Sequence, residues 1–421
     1  MRIVDNGGSA SDGFAAPRSR RYTTPSPARR AGVHAQRNPM TDTQPLDDDL
    51  DGRRPHAVFM VDGRPMALGT PARTLRAGDP DALRALPGRI QRALQEDCVF
   101  ACGLLPYDAG PALHGLPGGG ADTVVHLFRA PPRPFRPAVA DEFQLTAPFR
   151  AEQDAADYHR ALTRIRDYLK AGDCYQVNYA QRFQARWRGD PLAAFARLLA
   201  AHPAPHASFF RDGDEAVFGV SPERFLSIDG GRVRTEPIKG SRPRGRDEAE
   251  DRALGEALRR HPKDRAENLM IVDLLRNDLG AFCTAGSIRV DPLFELRRFS
   301  NVQHLVSTVT GTLRPDVTPL GALLSAFPGG SITGAPKKRA MEIIAELEPH
   351  PRGAYCGSLF WQDRDGRFDS TILIRTLQTD GDRLYCHGGG GIVYDSDPEE
   401  EYEESWFKVR KLMEALSLSP P

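Results

Sequence analysis

Lys239 lies in the run Thr235-Glu236-Pro237-Ile238-Lys239-Gly240-Ser241, in a chain whose 56 basic residues include only seven lysines. Arginine supplies the positive charge almost everywhere else. A lysine kept between an isoleucine and a glycine therefore points to a need that arginine cannot meet. A desolvated ammonium can lose its proton and act as a nucleophile or a base, whereas a guanidinium cannot. The plainer alternative is a lysine at a strand end, pointing at water.

Other residues could join it. Glu223, in Ser221-Pro222-Glu223-Arg224-Phe225, and His304, in Gln303-His304-Leu305-Val306-Ser307, are titratable groups beside apolar text. Each reads either as an acid or base with a shifted pKa or as a satisfied structural residue. Arg375 stands within the apolar run Ile372–Leu377, where a buried guanidinium is expected to meet a carboxylate of the protein or of a ligand. Glu267 continues the helical stripe of Met270, Ile271 and Leu274, and a carboxylate on such a stripe must be paired or metal-bound. Glu404, with Lys408 one turn later, reads as a solvated i,i+4 salt bridge. Periodicity does not join Glu404 to Glu267.

Two glycine-rich segments suggest anion binding. Gly388-Gly389-Gly390-Gly391 would let backbone amides approach a negative group closely. The loop Phe327 to Lys338 superficially resembles a phosphate loop but fails the spacing, because Lys337 comes three residues after Gly334. Pro336 suits the first position of a helix Lys337–Leu347, whose N-terminus favours anions. The alternative for both segments is a tight turn.

Several elements must position these groups. Ala57–Val61 reads as a strand before an Asp62-Gly63 turn, Leu83–Leu94 as a helix and Val99–Leu105 as a buried strand. Tyr158, Leu162, Ile165 and Leu169 fall at helical spacing, and Gly172 is a good stop. Tyr175–Tyr179 alternates as a strand, and Asp212-Gly213 and Asp229-Gly230 read as hairpin turns. One long helical region runs from Asp247 to Leu279. Further strands are expected at His304–Thr310, Tyr355–Trp361, Thr371–Leu377 and Leu384–His387, before a final helix striped by Tyr402, Trp406, Val409 and Met413. Helices and strands mix without βαβ alternation, which predicts an α+β fold.

Composition sets the outer bounds. The 421 residues are 40% hydrophobic and 27% charged, with a formal net charge of zero. Such a balance argues against a nucleic-acid coat or an anionic membrane surface as partner. No apolar run approaches the roughly 20 residues that span a bilayer. Six scattered cysteines without a CxxC pair read as reduced packing residues in a cytoplasmic protein. Residues 1–50, rich in Arg, Ser, Pro, Gly and Ala, read as a disordered leader, with Met40 as a candidate true start. Residues 51–145 read as an N-terminal segment ending in a proline-rich linker, and 150–417 as the domain that carries the candidate site residues.

In combination these segments resemble the chorismate-utilising enzymes of the anthranilate synthase component I family. The resemblance runs from about Asp154 to Leu416. It rests on Gly172 to Asn178, Ser221 to Phe225, Pro237-Ile238-Lys239-Gly240-Ser241, Ala266 to Asp278, His304 to Ser307, Pro328 to Lys337, Arg375-Thr376, the four glycines, and Glu401 to Glu404 with Lys408. It implies two antiparallel sheets packed face to face, helices outside, and an active site in the cleft. The isochorismate branch typically has lysine where this chain has Gln176, and the anthranilate branch has Pro-Ile-Ala-Gly where it has Lys239. Pro-Ile-Lys-Gly points to the branch that aminates chorismate, on the route to p-aminobenzoate and folate.

The same resemblance implies the roles. Glu267 and Glu404 would bind Mg2+, which holds the ring carboxylate of chorismate together with Gly240, Ser241, Thr333 and Lys408. Tyr355, Arg375 and the amides of Gly389, Gly390 and Gly391 would hold the enolpyruvyl carboxylate. Glu223 would protonate the departing C4 hydroxyl, His304 would orient it, and Lys239 would attack C2 before ammonia adds at C4. Ammonia would come from a separate glutamine amidotransferase subunit in a heterodimer. The element Leu-Leu-Glu-Ser of feedback-inhibited relatives is not found here. An anthranilate-forming enzyme and a non-catalytic anion-binding homologue are the competing readings.

Overall fold

The computed structural model describes residues 54–117, 122–137, 142–298 and 302–417. The proposed leader and Met40 lie outside them. Two large antiparallel sheets and one small sheet make up the β structure of the described residues.

The first sheet runs β18 (Gly334–Ala335), β8 (Gln176–Gly189), β22 (Arg383–Ile392), β21 (Thr376–Asp380), β10 (Glu215–Ser221), β9 (His206–Asp212), β1 (Ala57–Val61), β2 (Arg64–Leu68), β6 (Arg133–Pro134). The strand β7 (Phe143–Ala151) also pairs with β8. The second sheet runs β14 (Arg289–Val290), β17 (Val309–Thr312), β12 (Arg232–Thr235), β11 (Arg224–Asp229), β20 (Phe368–Ile372), β19 (Ser358–Asp363), β4 (Phe100–Leu105), β5 (Thr123–Phe128), β3 (Arg73–Ala77). The small sheet is β13 (Ile238–Pro243), β16 (Val302–Val306) and β15 (Glu295–Arg298). Segments between residues 57 and 151 thus complete both large sheets.

The two large sheets face each other. Phe59 of the first stacks on Phe100 and Trp361 of the second, at centroid distances of 5.5 and 5.8 Å. The strands β4 and β5 are buried almost throughout because both of their faces are covered. Outside the first sheet, α4 (Pro191–Ala201) and α9 (Pro398–Ser417) bury Phe195, Leu198, Val409 and Leu412 against Phe209, Phe218, Leu377 and Leu384. Outside the second, α1 (Pro80–Gln95) buries Leu86 and Ile90 with Val125 and Phe360. The remaining helices are α2 (Ala109–Leu113), α3 (Ala155–Ala171), α5 (Glu248–Arg260), α6 (Pro262–Gly280), α7 (Pro319–Ala326) and α8 (Lys337–Leu347).

Local chemistry sets many boundaries. Asp154 caps α3 by accepting from the Asp157 amide, and Gly172 ends it at φ +81. Asp212-Gly213 joins β9 to β10, and Asp229-Gly230 joins β11 to β12. The helix expected over Asp247–Leu279 is two helices, because Pro262 restricts His261 to extended backbone (φ −65, ψ 119) and opens α6 at its first position. The strand expected over Thr371–Leu377 is two strands in different sheets, β20 and β21. Arg375, at φ +50, lies in the bend between them.

Candidate active site

The chain crosses between the large sheets twice at one place. From β10 it passes through Pro222 and Glu223 into β11, and from β20 it passes through Leu373, Ile374 and Arg375 into β21. The passages are bonded together, with the Ile372 amide donating to the Glu223 carbonyl at 3.1 Å and the Thr371 hydroxyl at 3.0 Å. β21 begins only at Thr376, and its pairing with β22 runs from Leu377↔Cys386 to Asp380↔Arg383. Beyond Cys386 that edge of β22 has no paired strand among the described residues. The four glycines lie on this stretch, still paired with β8 on the other side.

Glu223 is buried, at 8% exposure. Burial pushes its carboxyl up to about 7, against the pull of Lys239, of the Ser331 hydroxyl at 3.2 Å and of Lys408. Lys239 is on β13 opposite Leu305, and the register slips by one between Lys239 and Ser241. Gly240 occupies that bulge at φ +78, a conformation that favours glycine. Among the described residues the Lys239 side chain makes no hydrogen bond or ion pair, but its charge reaches both Glu223 and Glu404.

The slip sets Ser241 opposite His304, and the Ser241 hydroxyl lies 2.7 Å from His304 Nδ1. Burial, followed by the charge of Arg375, lowers His304 to about 4, so its imidazole is neutral at physiological pH. The Arg375 side chain is open to solvent, yet desolvation holds its guanidinium below the usual range. Arg375 has no ion-pair partner among the described residues, so the carboxylate expected for it is not supplied by them.

On α9, Glu404 Oε1 accepts from Lys408 Nζ at 2.6 Å, and Lys408 also donates to the Gly389 carbonyl at 2.7 Å. Burial works against the Glu404 charge, but Lys408, Lys239 and Lys263 outweigh it and hold the carboxyl below its ordinary value. The pair expected to be merely solvated is therefore part of a charged cluster. Glu401, one turn earlier, was not distinguished by sequence reasoning, although its i,i+3 spacing to Glu404 was visible. A Cβ on Gly390 would come within 2.9 Å of Glu401 Oε2 and 3.6 Å of Glu404 Oε1. Burial raises Glu401, and Ser396 donates to its Oε1 at 2.7 Å. Of the seven lysines, Lys239, Lys263 and Lys408 surround Glu404, and Lys337 anchors the neighbouring loop.

The glycine run also has a packing reason. A Cβ at Gly388 would lie 2.1 Å from the Ser405 carbonyl of α9, and one at Gly389 would lie 2.1 Å from the Tyr179 carbonyl. Thr333 is fully buried, and its hydroxyl donates to the Gly329 carbonyl at 2.9 Å, closing the loop on itself. Tyr355 is buried and stacks on His387 at 4.9 Å. Behind it lies a pair that sequence reasoning did not single out. Arg352, 2% exposed, donates to both Glu348 oxygens at 2.8 and 2.7 Å and to the carbonyls of Ile332 and Asn178.

Glu267 lies half-buried on α6, one turn after Lys263, whose charge reaches Glu401 and Glu404. Among the described residues no three His, Cys, Asp or Glu side chains group as a metal site. The donor set still suits a hard divalent cation. Glu404 is held ionised and open to solvent, Glu401 Oε2 is beside it, and Gly390 leaves space in front of both. Water and substrate oxygens would complete the shell.

Thus Glu223, Lys239, Glu404 and Lys408 form one electrostatic cluster, with Ser241, His304 and Arg375 at its side. Residues 133–414 match the chorismate binding enzyme family. The chain belongs to that family. It is 49% identical over 278 residues to aminodeoxychorismate synthase component 1 of Klebsiella aerogenes, covering 66% of this chain and 62% of the relative. It is 43% identical over 273 residues to anthranilate synthase component 1 of Thermus thermophilus, covering 65% and 59%. The fold matches anthranilate synthase component I from Streptococcus pneumoniae, with a TM-score of 0.67, 26% identity and coverage of 89% of this chain and 95% of that one. The chain spans about three fifths of the length of the curated aminodeoxychorismate synthase components it matches. The fold is α+β, as the mixed text implied, and no described helix is long and apolar enough to cross a membrane.

Proposed function

We propose that this chain converts chorismate and ammonia to 4-amino-4-deoxychorismate and water, the reaction of an aminodeoxychorismate synthase component 1. The observation that carries the reading is the juxtaposition of Glu223 and Lys239. An acid poised near neutrality faces a lysine that no described carboxylate neutralises by direct contact. Glu223 gives its proton to the C4 hydroxyl, which leaves as water. Lys239 yields a proton to solvent and its amine nitrogen forms a bond to C2, while both ring double bonds shift, C1=C2 to C1=C6 and C5=C6 to C4=C5. Ammonia then adds at C4, both double bonds shift back, the C2–N bond breaks to return Lys239, and the added nitrogen gives up a proton to Glu223. His304, neutral and tied to Ser241, orients the leaving hydroxyl. Arg375 and those amides of the Gly389 to Gly391 stretch that face the open edge take the enolpyruvyl carboxylate.

Glu404 and Glu267, with Glu401 beside Glu404, would hold Mg2+, which would supply charge compensation for the ring carboxylate. Gly240, Ser241, Thr333 and Tyr355 shape the pocket, and Lys408 keeps Glu404 and the glycine strand in place. Ammonia comes from a separate glutamine amidotransferase subunit, and free ammonia at alkaline pH substitutes for it.

The test is to incubate the chain with chorismate, Mg2+ and ammonium at alkaline pH and to identify the product by mass. An amine in place of the chorismate hydroxyl, without pyruvate, is expected. Lys239→Ala and Lys239→Arg should both lose turnover. Anthranilate with pyruvate would reassign the chain and leave Lys239 a bystander.

A further inference from the structure

The loop Phe327 to Pro336 carries one side chain that the proposed reaction leaves unassigned. Ser331 lies in a 3-10 turn, Gly330–Ile332, at the edge of the cleft. Its hydroxyl donates to Oε1 of Glu223 at 3.2 Å, and no other hydrogen bond to that carboxylate is found among the described residues. We infer that Ser331 is a positioning residue that fixes which oxygen of Glu223 carries the transferred proton. This inference rests on Glu223 acting as the acid.

The argument is one of hydrogen-bond capacity. A protonated carboxyl has one hydroxyl oxygen and one carbonyl oxygen. While Ser331 donates to Oε1, that atom is favoured as the carbonyl oxygen, the better acceptor of the two, and the proton is favoured on Oε2. A bond on Oε1 therefore selects one of two otherwise equivalent acid forms and aims it in one direction. The rest of Glu223 is fixed already. Its amide donates to the Ser221 hydroxyl at 3.2 Å, and its carbonyl accepts from Ile372 and Thr371.

Ser331 is fixed in turn. Thr333 closes the turn on Gly329 at 2.9 Å, and Lys337 Nζ clamps the loop base, donating to the Ala326 carbonyl at 2.6 Å and to Asp278 at 2.9 Å. Lys337 is nearly buried, at 12% exposure of its side chain. The Leu274 side chain packs so closely on Gly330 that a Cβ there would meet it at 2.1 Å. The charged and titratable groups that act on Glu223 from the surrounding elements are Lys239 on β13, Lys408 on α9 and the buried Cys356 thiol. None of these donates a hydrogen bond to Oε1, so none duplicates Ser331. The same bond favours the ionised form and works against the burial that raises Glu223.

The test compares Ser331→Ala, Ser331→Thr and Glu223→Gln in steady-state amination of chorismate, with free ammonia held constant across pH. Loss of the hydroxyl should lower kcat about 10-fold, the scale of one ordinary hydrogen bond, with KM for chorismate nearly unchanged. The alkaline limb of the profile, above which Glu223 is ionised, should move up by roughly 0.5–1 unit. Ser331→Thr should restore both. Ser331→Cys, of similar shape but a weak donor, should behave like the alanine variant if the latter folds poorly. A wild-type kcat and limb in Ser331→Ala, with Glu223→Gln inactive, would overturn the role of Ser331 alone, as would failure of threonine to rescue. A fully active Glu223→Gln would instead overturn the assignment of Glu223 as the acid.

Discussion

Replacing Glu223 with glutamine should make the protein more stable at alkaline pH and no more stable at acid pH. The carboxyl sits at about 7 in the fold against an ordinary value of 4.5. Because the folded value is raised, the favourable contribution of this group is complete below 4.5 and is lost as pH climbs through 7. Above that, the fold holds a desolvated carboxylate. The difference between the two values corresponds to about 3 kcal/mol at pH 8, an order-of-magnitude figure. For a chain of this size roughly 1 to 1.5 °C of Tm accompanies each kcal/mol, so Glu223→Gln should melt about 4 °C higher at pH 8. Glutamine keeps the shape and can accept from Ser331, so little else changes. Differential scanning calorimetry of the two proteins at pH 4 and pH 8 would read this directly. The same Tm difference at both values would refute the desolvation argument, and with it the claim that Glu223 is held protonated near neutrality.

Two further outcomes are expected. Arg352→Met should cost about 3–5 kcal/mol in urea unfolding, because it strands Glu348 without its buried cation, and adding Glu348→Gln should recover part of the loss. His304 sits at about 4, so kcat/KM should show no limb near 6.5 that disappears in His304→Gln; finding one would mean that the imidazole titrates in the range from which burial and Arg375 are argued to remove it.

The sequence disclosed the chemistry better than the paths that assemble it. Lys239 was legible because lysine is rare in this chain, and the start of α8 after Pro336 was legible because proline is suited to that place. The hairpins at Asp212-Gly213 and Asp229-Gly230 follow from turn chemistry. The separation of β20 from β21 was not legible, because Thr371 to Leu377 reads as one β-type run of threonines and branched aliphatics around Arg375, and periodicity says nothing about a change of sheet. The same gap hid the open edge of β22, so the glycines read as a loop after a strand when they lie within one. Glu404 looked solvated because a helical pattern reports only its own face. Its second neighbour, Lys239, comes from a strand more than 160 residues earlier. Glu348 and Arg352 went unnoticed since two charged residues four apart ordinarily mark a surface.

The scarcity of lysine has a consequence for the reactivity of the folded molecule. Away from the cleft and its supporting loop, the side-chain amines are those of Lys170, Lys338 and Lys411. Reagents that acylate primary amines find few competing targets on a surface whose cations are guanidinium groups. Such reagents would mark Lys239 beside only a handful of exposed amines, so its protection by a bound anion could be followed by peptide mapping against a short list of competing sites. Composition has in effect placed four of the seven primary side-chain amines in or beside this one region of the fold.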